Sequence, residues 1–193
     1  MKTIIIIFGF SGSGKSTIAN MLGKKLDLRV VHPSSILKDL ILNKEPDIEH
    51  SKEGKGFWES KRGIKMFNER LKNDKPIDLD CDQILLKEAT KGNLVIDSWS
   101  LPWLTKKGIK IYLQATEKTR IARVSKRSRI SLGDAQKTLR MKDSKTRELY
   151  LKHRGFDIKK DSTVFDLVIN TNKLTRKEIV ERILTFLKSH ANI

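Results

Sequence analysis

Two patterns of apolar positions alternate along this chain: short β-branched runs, and longer stretches with apolar residues at every third or fourth place. Lys2 to Phe8 is apolar at nearly every position, as a strand buried on both faces of a parallel sheet requires. Lys15 to about Leu26 sets Ile18, Ala19, Met21, Leu22 and Leu26 at helical spacing, and Arg29-Val30-Val31 reads as a second short strand. Ser34 or Ser35 is placed to cap a helix through Ile36, Leu37, Leu40 and Ile41. From Asn43 to Gly56 the chain turns polar, with Pro46, Gly54 and Gly56, which predicts a loop or mobile lobe. Helices follow over Phe57 to Leu71 and Pro76 to Lys91, the second closed by Gly92. Leu94-Val95-Ile96-Asp97 and Ile109 to Leu113 are strands, Glu117 to Arg129 and Ser131 to about Arg154 are highly charged helices, and Phe165 to Ile169 is a last strand before a helix capped by Thr175. This alternation predicts an α/β fold, a parallel five-stranded sheet with helices on both faces. At 193 residues it fits one domain, residues 1–193, with inserts.

Between the first strand and the first helix stands Gly9-Phe10-Ser11-Gly12-Ser13-Gly14-Lys15-Ser16, a match to GxxxxGK[ST] with the correct element on each side. Small residues let successive backbone N–H groups point at phosphate oxygens from the positive end of a helix. Gly9, Ser11, Gly12, Ser13, Gly14, Lys15, Ser16 and Thr17 are therefore the predicted nucleoside triphosphate cradle. Lys15 would reach the β- and γ-phosphates, and the Ser16 hydroxyl would join a Mg²⁺ shell.

Charge adds a second theme. Forty Lys and Arg against 23 Asp and Glu give a net charge of +17. A cleft for anionic nucleotides needs cations, a lysine-rich surface keeps a protein soluble, and a basic face can also hold an RNA backbone. Composition alone does not choose among them. Cys81 is the only cysteine, so an internal disulfide is excluded, and no Cys/His cluster has zinc spacing. His32, His50, His153 and His190 are scattered without ligand spacing. The apolar run at the amino terminus is too short for a signal peptide or membrane span. The expectation is a cytoplasmic monomer with no membrane association.

Asp97 ends its strand beside the phosphate loop, where a carboxylate orients a metal's water shell; a strand-end turn cap is the alternative reading. Arg120, Arg123 and Arg127 share one helix face and suit charge built up during phosphoryl transfer, unless they form only a solvated cationic stripe. Asp78 and Asp82 lie one turn apart, as acidic residues complementing a helix amino terminus do. Trp58, Trp99 and Trp103 read as core or as stacking surfaces.

Ala115 to Arg127, then Ser144 with Arg147 and Tyr150, then Gly155-Phe156-Asp157-Ile158 and Asp166-Leu167-Val168-Ile169-Asn170-Thr171 resemble, in order and spacing, stretches of archaeal-type cytidylate kinases. The resemblance is strong over residues 1–40 and 94–190 and faint between 43 and 92. It implies a P-loop nucleoside monophosphate kinase: a core, an inserted monophosphate-binding lobe at about 34–92 and a lid at about 125–155. ATP and Mg²⁺ are the implied cofactors. The implied reaction is phosphoryl transfer to CMP or dCMP, giving the diphosphate. It further implies catalytic roles for Lys15, Arg123, Arg127 and Asp97, metal binding by Ser16 and Asp97, and Asn170 and Thr171 near the adenine. Acceptor contacts fall to Ser35, Lys38, Asp82 and Arg140, and the resemblance places the stretch with Asp78 and Asp82 where acidic groups could read the acceptor base. Where such kinases carry arginine after the second and third strands, this chain has Ile36-Leu37-Lys38 and Asp97-Ser98-Trp99. Lysine supplies a point charge there without the bidentate fork. Two other readings stay open: an RNA-associated P-loop ATPase, and a kinase acting on another acceptor such as a polynucleotide end.

Overall fold

The computed structural model describes residues 2–51, 56–71 and 76–190. Residues 52–55 of the predicted 43–56 loop lie outside them. Strands β1 (Ile4–Phe8), β2 (Arg29–Val31), β3 (Leu94–Asp97), β4 (Ile109–Gln114) and β5 (Leu167–Asn170) form one sheet in the order β2-β3-β1-β4-β5. Every neighbouring pair runs parallel. Central β1 is flanked on both sides, so Ile5, Ile6, Ile7 and Phe8 are fully buried, which is why the sequence there shows no alternation.

The side-chain period of two splits β1 between two cores. Ile5 and Ile7 pack with Ile18 and Leu22 of α1 (Lys15–Leu26) and Ile179 and Ile183 of α8 (Arg176–His190). Ile6 packs with Ile36 of α2 (Pro33–Ile41), Leu85 of α4 (Ile77–Lys91) and Leu101 of α5 (Leu101–Leu104). Phe8 meets an aromatic group, with Trp103, Tyr112 and Phe165 ring centroids 5.0 to 5.2 Å away. Trp103 is thus a core residue. The predicted five-stranded parallel sheet with a helix layer on each face is the fold observed, and among the described residues no helix is long and apolar enough to cross a membrane.

Four boundaries differ from the sequence reading, each for a local reason. Helix α2 begins at Pro33, with His32 rather than Ser34 or Ser35 at its cap, because proline's fixed φ suits the first helical position. The stretch 57–71 is not one helix. A 3₁₀ turn, Phe57–Glu59, gives way at Ser60, whose hydroxyl accepts from the Gly63 amide and starts α3 (Lys61–Glu69). The four-residue α5 after β3 was not anticipated. The last strand is Leu167–Asn170, since the Asp166 carboxylate is taken by the Lys110 amide at 2.7 Å. The charged helices fall close to their predicted limits, as α6 (Glu117–Ser128) and α7 (Leu132–Arg154), with Thr116 and Ser131 accepting from backbone amides at their starts.

Candidate active site

Gly9 to Ser16 turns from the buried end of β1 into α1, and the parallel register sets Asp97 beside Ile7 at the same edge of the sheet. The turn is tightened by the Ser13 amide donating to Phe10 O at 3.0 Å. Gly12 has φ +84°, and a Cβ there would lie 2.8 Å from the Arg120 carbonyl oxygen, so neither the conformation nor the space admits a side chain. Gly14, at φ +105°, has nothing within 4 Å of an added Cβ: the backbone faces an open cradle. The Lys15 ammonium is desolvated, which lowers its pKa to about 8; Asp97 counters this, while Lys142 and Arg127 add to it. It lies 5.4 Å from the centroid of the Trp99 ring.

The Ser16 hydroxyl donates to Asp97 Oδ2, and the other carboxylate oxygen faces His32 Nδ1 at 3.2 Å. His32 is buried, and its Nε2 lies 2.9 Å from Asn20 Oδ1. The turn after β3 is capped by Ser98, whose Oγ accepts from the amides of Ser100 and Leu101. Asp97 is therefore not the turn cap and stays at the phosphate loop. A hydroxyl and a carboxylate held together are oxygen donors fit for a hard cation that keeps most of its waters, as Mg²⁺ does.

A single cavity joins this loop to residues from α2, the 3₁₀ turn, α3, α4, the turn after β3, α6 and α7. One part of its wall is acidic. Asp78 and Asp82, one turn apart on α4, are both buried, and Arg70 at the end of α3 pairs with Asp78 at 3.0 Å. Asp82 Oδ1 accepts from the hydroxyls of Ser100 at 2.6 Å and Tyr150 at 3.2 Å. Burial raises the Asp82 pKa to about 7, with the Ser100 hydrogen bond opposing and the Asp78 charge reinforcing the rise. Asp78 is raised too, by burial against the pull of Arg70. Asp78 Oδ2, Asp82 Oδ2 and Arg70 Nε are all buried without a hydrogen-bond partner among the described residues. Buried polar atoms are usually paired, so three orphans in one wall mark a place prepared for a polar ligand.

Another part of the wall is cationic. Lys142, buried on α7, and Arg127 from α6 both hold Glu59 of the 3₁₀ turn, at 2.8 and 3.0 Å. Burial alone would raise the Glu59 pKa, yet the two cations bring it below the ordinary carboxylate value. Lys142 is itself lowered, by burial, against the pull of Glu59.

The three arginines of α6 thus separate. Arg127 lines the cavity. Arg120 is buried against Asp143 at 2.8 Å and donates to Ser11 O at 3.3 Å. Arg123 donates to Thr171 Oγ1 at 3.0 Å, Thr171 O at 2.6 Å and Ser13 O at 3.4 Å, tying β5 to the phosphate loop. Thr171 is fully buried in that tie, while Asn170 is exposed and accepts from the Asn172 amide. Ser35 donates to His32 O, and its neighbour Ser34 lines the cavity instead. The Lys38 ammonium sits 4.7 Å from the Phe57 ring centroid. Arg140 is largely exposed and bound to Glu117 at 2.7 Å, away from the cavity. Of the residues expected from sequence, the structure gathers Ser11, Gly12, Gly14, Lys15, Ser16, Thr17, Asp82, Asp97 and Arg127 around one space.

Arg70, Glu59 and Lys142 escaped the sequence reading as site residues, and Asp78 reads there as a helix-end acid as readily as an acceptor contact; Arg70 and Lys142 nevertheless left a signal. Buried Gly63, Met66, Phe67 and Arg70 share one side of α3, and buried Thr138, Leu139, Lys142, Thr146 and Leu149 one side of α7. A charge at an apolar position of a helix has to be answered by a partner or a ligand.

A family model described as the cytidylate kinase-like family matches residues 4–173. A cytidylate kinase of Sulfurisphaera tokodaii is 33% identical over 186 residues, covering 95% of this chain and 94% of its own. One from Sulfolobus acidocaldarius is 32% identical over 182 residues, covering 93% and 91%. Among solved structures, a shikimate kinase from Bacteroides thetaiotaomicron superposes with a TM-score of 0.61 at 14% identity, over 97% of this chain and 99% of that one. A deoxyadenosine kinase from M. mycoides with dCMP and dCDP bound superposes with a TM-score of 0.52 at 22% identity, over 97% and 100%. These two structures share the fold.

Proposed function

The chain belongs to the cytidylate kinase-like family, and on that premise we propose that it transfers the γ-phosphoryl group of ATP to CMP or dCMP, giving the diphosphate. The observation that carries the choice of acceptor is the orphaned wall of Asp78, Asp82 and Arg70 in the cavity that also contains the phosphate loop. Cytosine presents an exocyclic amine with two hydrogens beside the acceptors N3 and O2. Two carboxylate oxygens and a guanidinium N–H complement that edge. Uracil has an acceptor in place of the amine, and would leave a carboxylate facing an oxygen, which costs the affinity that an unpaired buried polar group forfeits.

Backbone amides of residues 12–17 and Lys15 hold the triphosphate, while Ser16 and Asp97 are the residues suited to Mg²⁺ and its waters. Mg²⁺ supplies charge neutralisation at the phosphate oxygens. Arg127 and Lys142 face the same space and lower the cost of negative charge on the moving group. The donor and acceptor are held in line with water excluded, and positioning with charge neutralisation supplies most of the rate without a strong general base. In this reading α6 and α7 act as the lid, and the excursion between β2 and β3 is the acceptor lobe.

ADP release in a coupled assay, with CMP, dCMP, UMP, AMP and GMP each offered as acceptor, tests this directly. CMP and dCMP should give the highest kcat/KM. Acceptor-independent turnover with all of them would remove the kinase reading, and a preference for UMP would remove the base assignment.

A further inference from the structure

Among the described residues, Glu59 is the one carboxylate held between two cations that line the cavity beside Lys15. Its residue is 6% exposed, Oε1 lies 2.8 Å from Lys142 Nζ, and Oε2 lies 3.0 Å from Arg127 Nη2 and 3.3 Å from Ser128 Oγ. The other ion pairs of α6 and α7 differ. Arg120 with Asp143, Arg140 with Glu117 and Arg147 with Asp157 all lie outside the cavity lining. Arg127 and Lys142 are close enough to Lys15 for both to depress its pKa, so a cluster of three cations surrounds one region and a single internal anion answers two of them. A buried ammonium such as Lys142 needs a counter-charge at all times, since a buried ion left unpaired is strongly destabilising. Glu59 supplies it from a different element, through a carboxylate that presents two oxygens to the same kind of donors that grip a phosphoryl group.

We propose that Glu59 is an internal stand-in for a phosphoryl group: it holds Arg127 and Lys142 across the cavity and gives them up when a phosphate-bearing ligand enters, so that its charge sets how tightly phosphate binds. Every phosphorylated ligand competes with this carboxylate for the two cations. The protein thereby keeps a lysine in its interior in the absence of ligand and gives up part of the affinity that lysine could provide. The inference needs phosphate to enter this cavity, but it does not depend on which base the acceptor carries.

Glu59→Gln retains the shape and removes the charge. Pyrophosphate titrated into the full chain by calorimetry, with no nucleotide present, is the probe. The dissociation constant should fall about tenfold, the order expected when one unit of repulsion close to a bound anion is removed in a partly desolvated site. The thermal midpoint without ligand should drop, and its rise with saturating pyrophosphate should exceed that of the unsubstituted protein. A brace with no role in ligand affinity would lower the midpoint and leave pyrophosphate binding equal or weaker, and that result would overturn the proposal. If the glutamine variant does not fold, Glu59→Asp, one methylene shorter and unable to span both cations, should tighten pyrophosphate binding by a smaller factor; no tightening would count equally against it. Glu117→Gln, which removes the exposed partner of Arg140, should leave the constant unchanged, and a matching change there would show a general charge effect instead. Tightened pyrophosphate binding together with absent CMP turnover would sink the acceptor assignment and leave Glu59's role standing.

Discussion

Asp82 places a carboxylic acid with a pKa of about 7 in the wall of the cavity, and the consequence for stability can be worked out and measured. Burial raises the group from 3.8, so the folded protein holds this proton over a range of pH in which the unfolded chain has lost it. The stabilisation from that retained proton is complete below about pH 4 and is lost as pH rises toward 7. A rise from 3.8 to about 7 corresponds to about 4 kcal/mol at 1.36 kcal/mol per unit. Asp82→Asn keeps an oxygen for the Ser100 and Tyr150 hydroxyls and removes the titration. In urea unfolding of both proteins from pH 4 to 8, the variant should gain on the unsubstituted protein by up to about 4 kcal/mol as pH rises, with the change concentrated between pH 4 and 7. The comparison cancels the background of a chain carrying +17. Parallel stability curves would refute the reasoning, because they would mean that Asp82 titrates alike in folded and unfolded chains. The proposed acceptor reading carries its own sign: if an ionised Asp82 accepts from the cytosine amine, the KM for CMP should fall as pH rises through 7, and Asp82→Asn should abolish that dependence.

Lys15→Ala should reduce turnover by at least about a hundredfold while leaving the urea midpoint close to that of the parent, since the ammonium faces the ligand space; near-normal activity in a folded variant would contradict its placement. Arg127→Ala and Arg123→Ala should fail differently. The first should lower kcat more than it raises the KM for ATP, as expected of a group acting mainly in the closed complex. The second cuts the tie from α6 to Thr171 and Ser13 and should lower stability by about 1–3 kcal/mol, with a raised KM for ATP; identical kinetic signatures for the two would erase the distinction drawn from their partners.

The phosphate loop was legible because its function is local: eight consecutive residues between one strand and one helix carry both the shape and the chemistry. Strands β1 and β3 were legible for the same kind of reason, since burial on both faces leaves an unbroken apolar run. The acidic and cationic walls were legible only in Asp82 and Arg127. Glu59, Arg70, Asp78, Asp82 and Lys142 converge from a 3₁₀ turn and three helices, and nothing in the spacing of 59, 70, 78 and 142 announces that they meet. Asp78 also has an ordinary local explanation, an acidic residue in the first turn of a helix, which only its burial against Arg70 displaces. The arginine face of α6 was read as a unit because helical geometry puts 120, 123 and 127 on one side. Their division into two braces and one cavity residue depends on Asp143, Thr171 and Glu59, each distant in sequence.

The chain leaves the sheet at Val31 and re-enters it at Leu94, on strands that lie next to each other and pair Val31 with Ile96. Everything between is an excursion whose two ends, two residues out of register on strands about 4.8 Å apart, are fixed by the sheet whatever it contains. Closing such a loop depends only weakly on its length, with each doubling costing about 0.6 kcal/mol. Ile36 of α2 and Leu85 of α4 stay bound to the core with Ile6, and His32 to Asp97, but the stretch between α2 and α4 can be lengthened or shortened without altering the strand register. If the acceptor is chosen in that excursion, as proposed, selection can rewrite the choice while the phosphate loop stays fixed, and sequence likeness should fade in that one interval and persist on either side of it. A chimera that receives the whole 32–93 segment of a related kinase should keep the donor site and adopt the acceptor preference of its new insert.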